Sequence, residues 1–127
     1  MQIPDNQTDE TSLAKFGSEL VHMLAAGAIP DLASRFGYAR AFSREASVAI
    51  QEDLAACLAE LRAKSLAPAQ PFASSTVKYF QPNGTGLFAL IGCFVPTDNG
   101  AQVLVELVVT SKDANKYVCL EDLSAVV

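Results

Sequence analysis

The spacing of the apolar residues changes once along this chain, and that change limits the folds open to it. Up to about Lys64 the large apolar side chains recur every three or four residues, as on a helix face. After Ser65-Leu66-Ala67-Pro68-Ala69-Gln70-Pro71 they recur every second residue, as on a strand. Two prolines in that break cannot continue a helix, because neither has an amide hydrogen to donate. Helices followed by strands is the pattern of an α+β domain, with the helices on one side of an antiparallel sheet.

Glycines divide the helical half. Asp9 and Glu10 put negative charge at a helix N-terminus, Leu13, Phe16, Leu20 and Leu24 form one stripe, and Gly27 stands where the helix should end. Pro30 opens a short second helix with Asp31 in its first turn, Leu32 and Phe36 four apart, and Gly37 as its stop. From Gly37 to Phe42, the alternation of Tyr38, Arg40 and Phe42 with Ala39 and Ala41 fits a short strand or a loop. Ser43 is the expected N-cap of a third helix reaching about Lys64, with the stripe Ile50, Leu54, Cys57, Leu58 and Leu61 inward. Gln51, Glu52, Glu60 and Arg62 face outward. Residues 1–7 lack periodicity and read as a flexible N-terminal arm, leaving residues 8–127 as a single domain of ordinary size.

In the second half, residues 72–81 are β-prone and end at Pro82-Asn83-Gly84-Thr85-Gly86, whose Asn-Gly pair signals a turn. Strands are then expected over residues 87–95, 101–110 and 116–120, separated by turns at 96–100 and 111–115. Each connection suits a hairpin, which gives a curved four-stranded antiparallel meander. In the strand from Leu87 to Val95 both alternating sets are apolar, so neither face suits water. The helices can cover one face. The other calls for a partner subunit, the tail Leu123–Val127, or curvature around a cavity.

Half of the residues are apolar, enough for a core, and nine basic against fourteen acidic residues leave a net charge of −5. That balance argues against nucleic acid and anionic membranes as partners. No apolar run approaches the roughly 18 residues of a membrane span and the first residues lack the pattern of a signal peptide, so the expected location is the cytoplasm. Cys57, Cys93 and Cys119 are odd in number, far apart and set in apolar runs, as expected of core thiols rather than disulfide or metal ligands.

The sequence contains no P-loop, GxGxxG, GxSxG or HExxH pattern, so it calls for no cofactor or metal and names no catalytic residue. Two groupings remain. Arg35, Tyr38, Arg40 and Arg44 put guanidinium groups beside aromatic rings with no acid between Asp31 and Glu45, a candidate surface for an acidic protein or a small anionic ligand. Structural pairing with distant acids is the competing account. His22, Tyr79 and Glu106 form a candidate pocket, with Lys78 and Tyr117 on neighbouring strands, because a carboxylate among apolar neighbours can act as a general acid or base.

The run Leu24-Ala25-Ala26-Gly27-Ala28-Ile29-Pro30-Asp31-Leu32, set between an amphipathic helix and a short second helix ahead of a curved antiparallel sheet, resembles the ketosteroid-isomerase and nuclear-transport-factor superfamily of cystatin-like folds. Members usually place strands between their helices, and here only Tyr38–Phe42 could serve. The resemblance implies a fold and a concave pocket, with no single activity. The leading expectation is a non-catalytic binding or protein-interaction domain, an accessory or immunity-type protein of a bacterial cytoplasm that forms a homodimer. A small isomerase- or lyase-like pocket enzyme using Glu106 or His22 as base is the alternative.

Overall fold

A computed structural model describes residues 1–68 and 75–127. Three helices, α1 (Glu10–Ala25), α2 (Ile29–Phe36) and α3 (Ala46–Glu60), pack on one face of a curled antiparallel sheet. Its strands are β1 (Gln2–Ile3), β2 (Ser75–Tyr79), β3 (Leu87–Pro96), β4 (Gln102–Lys112) and β5 (Asn115–Val126), in the order β1-β5-β4-β3-β2. No helix is long and apolar enough to cross a membrane.

The helix ends follow their local chemistry. Asp9 caps α1 by accepting from the Ser12 amide at 3.1 Å and the Ser12 hydroxyl at 2.6 Å. Gly27 and Gly37 follow α1 and α2 at φ 76° and 72°, a region that glycine enters without a Cβ clash. The third helix departs from expectation at both ends. Ser43 lies at φ 72° outside it, the N-cap is Glu45, and Arg62 at φ 57° stops it before Lys64. Asn99, from the turn after β3, then donates to the carbonyls of Leu61 and Arg62, both at 3.1 Å, tying the end of α3 to the sheet.

The sheet has five strands rather than the expected four. Residues 2–3, read from sequence as part of a loose arm, pair with Lys116 and Tyr117 of β5, because Ile3 buries its side chain at that edge. The last strand runs to Val126 rather than stopping at Leu120, since a bulge at Glu121 carries the ladder past the two acids and sets Asp122 opposite Glu106. The tail Leu123–Val126 therefore lies within the sheet. The β4–β5 turn uses Asp113 and Ala114, both at positive φ, as a two-residue hairpin requires. Of the expected strand 72–81, the residues 72–74 fall outside those described.

The core lies between helices and sheet. Leu13, Phe16, Leu20 and Leu24 of α1 meet the buried set Ala89, Ile91, Cys93 and Val95 of β3, continued by Val103, Val105, Leu107 and Val109 of β4. Contact between α1 and β3 is close because Gly17 has no side chain. A Cβ there would stand 2.9 Å from both Cys93 Sγ and Ile91 Cγ2. We therefore expect Gly17→Ala to lower stability in urea unfolding: overpacking costs about 1–3 kcal/mol, against a helix-propensity gain of about 1 kcal/mol. A variant as stable as the parent would contradict this packing.

Candidate functional site

Three features of the surface carry chemistry: a clamped loop, a cleft beside it, and the sheet face away from the helices. The clamp holds the segment that joins α2 to α3. Tyr38 is buried and its backbone forms a single parallel bridge with Leu120 of β5, so the segment of uncertain type is a loop with one strand-like contact. Its hydroxyl donates to Asp53 Oδ2 at 2.5 Å, and Arg44 donates to the same carboxylate at 3.0 and 3.3 Å. Arg44 also donates to the carbonyls of Ala41 and Arg40, each at 2.8 Å, which fixes the turn between them. Phe42, within that turn, sits at φ 48° with 73% of its surface exposed.

These contacts set the ionisation of the group. The Arg44 guanidinium, helped by the Tyr38 hydroxyl, holds the Asp53 carboxyl below its ordinary value. Burial first, and the hydrogen bond to Asp53 second, push the Tyr38 hydroxyl well up.

The candidate arginine surface is brought together only in part. Arg35 pairs with Glu19 at 2.6 Å and lies over the Phe36 ring, Arg40 pairs with Asp122 at 3.3 Å, and Arg44 belongs to the clamp. Each guanidinium thus has an acid partner from outside the segment 31–45. Asp53, which completes the clamp, was not singled out from the sequence. Its signal was position: it lies three residues after Ile50 and four before Cys57, an acid on the inward stripe of α3.

The candidate pocket residues do not converge. His22 is exposed on α1 and lines a shallow depression with Ala25, Ala26 and Pro68. Tyr79 points to the helix side of the sheet, where its hydroxyl donates to the Thr8 carbonyl at 2.7 Å and its ring meets Phe88 edge-on. Glu106 points to the opposite side, between Leu104 and Val108 and across from Gly92 and Asp122. Lys78 and Tyr117 share that outer side by register, the former opposite Leu90 and the latter opposite Thr110. A catalytic pairing of Glu106 with Tyr79 or His22 is therefore absent.

The helices leave the outer face of the sheet uncovered. Leu90, Leu104 and Val108 are half-buried there, and Phe94 is 46% exposed. Cys57 and Cys93 are buried, Cys119 is partly exposed, all three are free thiols, and burial pushes each thiol up from its ordinary value. Among the described residues no cluster of three or more His, Cys, Asp or Glu could hold a metal ion. No buried side-chain nitrogen or oxygen lacks a hydrogen-bond partner among them.

Comparison with family models, curated proteins and solved structures finds no match for this chain.

The clamp has a measurable pH signature. Removing the Tyr38 hydroxyl takes away a hydrogen bond to a carboxylate, so Tyr38→Phe should lose about 1.5–3 kcal/mol at neutral pH. A raised tyrosine value contributes stability that is fully present below the unfolded value of about 10 and lost as pH rises through the folded one. The gap between parent and variant in urea unfolding should therefore hold from pH 7 to 9 and shrink above about pH 10. A gap that widens in alkali would contradict the assignment.

Proposed function

We propose that the protein is a non-catalytic interaction domain that forms a homodimer through the outer face of its sheet. The observation that carries this reading is Phe94, exposed amid Leu90, Leu104 and Val108 on a face that no helix covers. An apolar patch of this kind on a folded domain marks an association surface, because burying it releases ordered water. Its size suits the purpose. Ten residues of β3 at about 3.3 Å each, across four strands about 4.8 Å apart, give a footprint of about 600 Å² before side-chain relief is counted. That approaches the ~800 Å² per partner of a stable interface.

A two-fold axis makes such a contact self-complementary, so one patch serves as both halves. The polar groups of the face allow the match: Lys78 lies on the β2 side, and Glu106 and Asp122 lie on the β4–β5 side. Among the described residues the buried side-chain nitrogen and oxygen atoms are satisfied, and Tyr79 and Glu106 lie on opposite faces of the sheet. Both features favour binding over catalysis. We also propose that the fold is a reduced form of the ketosteroid-isomerase and nuclear-transport-factor architecture, in which the strand between the helices has shrunk to the Tyr38–Leu120 bridge. An accessory or immunity-type role accords with this reading.

Sedimentation velocity at micromolar concentration tests the dimer. The parent should sediment as a dimer and Phe94→Asp as a folded monomer, since a charge at the centre of the interface has no partner. A parent that remains monomeric at about 100 µM, with a Kd therefore weaker than that, would overturn the reading.

A further inference from the structure

We infer that the half of the β5 edge left unpaired among the described residues, running from the buried Leu123 to the half-buried Ala125, docks an extended peptide segment that joins the sheet as an added strand. The inference rests on reading the protein as an interaction domain, and it concerns a surface separate from the dimer face.

The edge of β5 away from β4 is already filled piecewise by the chain itself. Met1 and Val118 exchange two hydrogen bonds of 2.8 Å, and the Ala39 amide donates to the Leu120 carbonyl at 2.9 Å. Val118 and Leu120 therefore turn their backbone groups away from β4, where they stand opposite Val109 and Leu107. Beyond the bulge, Leu123 stands opposite Val105 and Ala125 opposite Val103. Alternate residues of β4 point the same way, so Leu123 and Ala125 also aim their N–H and C=O groups outward. Among the described residues, no backbone group outside the sheet ladder bonds to either of them. Leu123 to Val126 contains no lysine or proline, the usual guards of an exposed edge.

A cleft of about 490 Å³ lies between the edge and α3, floored by Ala56 and Cys57 and walled by Phe42. Side chains of an added strand that pair with Leu123 and Ala125 would enter this cleft, since cross-strand partners share a face. The floor admits small apolar groups. Phe42 is held exposed at a backbone conformation unfavourable to phenylalanine, and an added strand would cover it. At the rim, Arg40 and Arg44 are paired with Asp122 and Asp53, while Glu60 has no ion-pair partner among the described residues. The free charge at the rim is thus negative. The segment that fits is extended, carries small apolar side chains at alternate positions, and has a basic side chain near Glu60.

The probe is a capped peptide of sequence KSVSVSK, whose lysines share the face of its valines, titrated into the 15N-labelled protein. The amides of Leu123 and Ala125 should shift and become slowly exchanging, and a peptide N-methylated at alternate residues should not bind. Ala125→Pro removes an outward donor while sparing the ladder to β4, so it should melt close to the parent and bind the probe at least about tenfold more weakly. Ser124→Pro, whose amide faces Leu104, should melt well below the parent. Glu60→Lys should also weaken binding. Phe94→Asp should bind the probe as the parent does, which separates failure here from failure of the dimer. Shifts confined to other amides, no shift at millimolar probe, an unfolded Ala125→Pro, or unimpaired binding by it would overturn the proposal.

Discussion

The β3–β4–β5 ladder is the constraint on which the rest of this structure depends. Its three strands are 10, 11 and 12 residues long, and one face of the ladder supplies Ala89, Ile91, Cys93, Val95, Val103, Val105, Leu107, Val109, Val118 and Leu120 to the core. The helices are too short to form a core by themselves and gain their burial by lying on that face. The missing side chain at Gly17 lets α1 approach β3, and Asn99 fastens the end of α3 to the turn that β3 and β4 share. Among the described residues, the same ladder leaves a second face without helices and one stretch of edge without backbone partners, and both proposed interactions arise there.

The loop between α2 and α3 shows how a local conflict is resolved by a distant group. Phe42 and Ser43 both occupy the left-handed region, which non-glycine residues enter at a cost of about 1–2 kcal/mol each. The compensation is the Tyr38–Asp53–Arg44 cluster, in which α3 supplies the acid and the loop supplies the donors. A charged side chain paired in this way holds the turn. Arg44 fastens the turn to α3, and Arg40, leaning on Asp122, anchors the loop to β5.

Elements with a regular period were legible in the sequence, and features that depend on contact between distant residues were not. The helical stripes of α1 and α2, with Gly27 and Gly37 after them, and the turns Asn83-Gly84 and Asn99-Gly100 all stand where spacing and turn chemistry put them. The doubly apolar character of β3 correctly signalled a face beyond the reach of the helices. Three readings failed for physical reasons. Ser43 looked like a cap because capping residues are recognised by type, but Arg44 bends the chain before a helix can start there. Glu121-Asp122 looked like the end of a strand because acids rarely sit in ladders, but a bulge absorbs the pair. Residues 2–3 looked unstructured because two residues show no period, although their partners in β5 order them.

The central claim is that the sheet has one face sealed by helices and one face sealed by association. Hydroxyl-radical footprinting at two protein concentrations tests it most directly. Phe94, Leu104 and Leu90 should be oxidised in dilute solution and protected in concentrated solution, while Ile91, Leu107 and Phe36 should be protected in both. Outer-face residues that are oxidised equally at both concentrations, or protected even when the protein is dilute, would contradict the account.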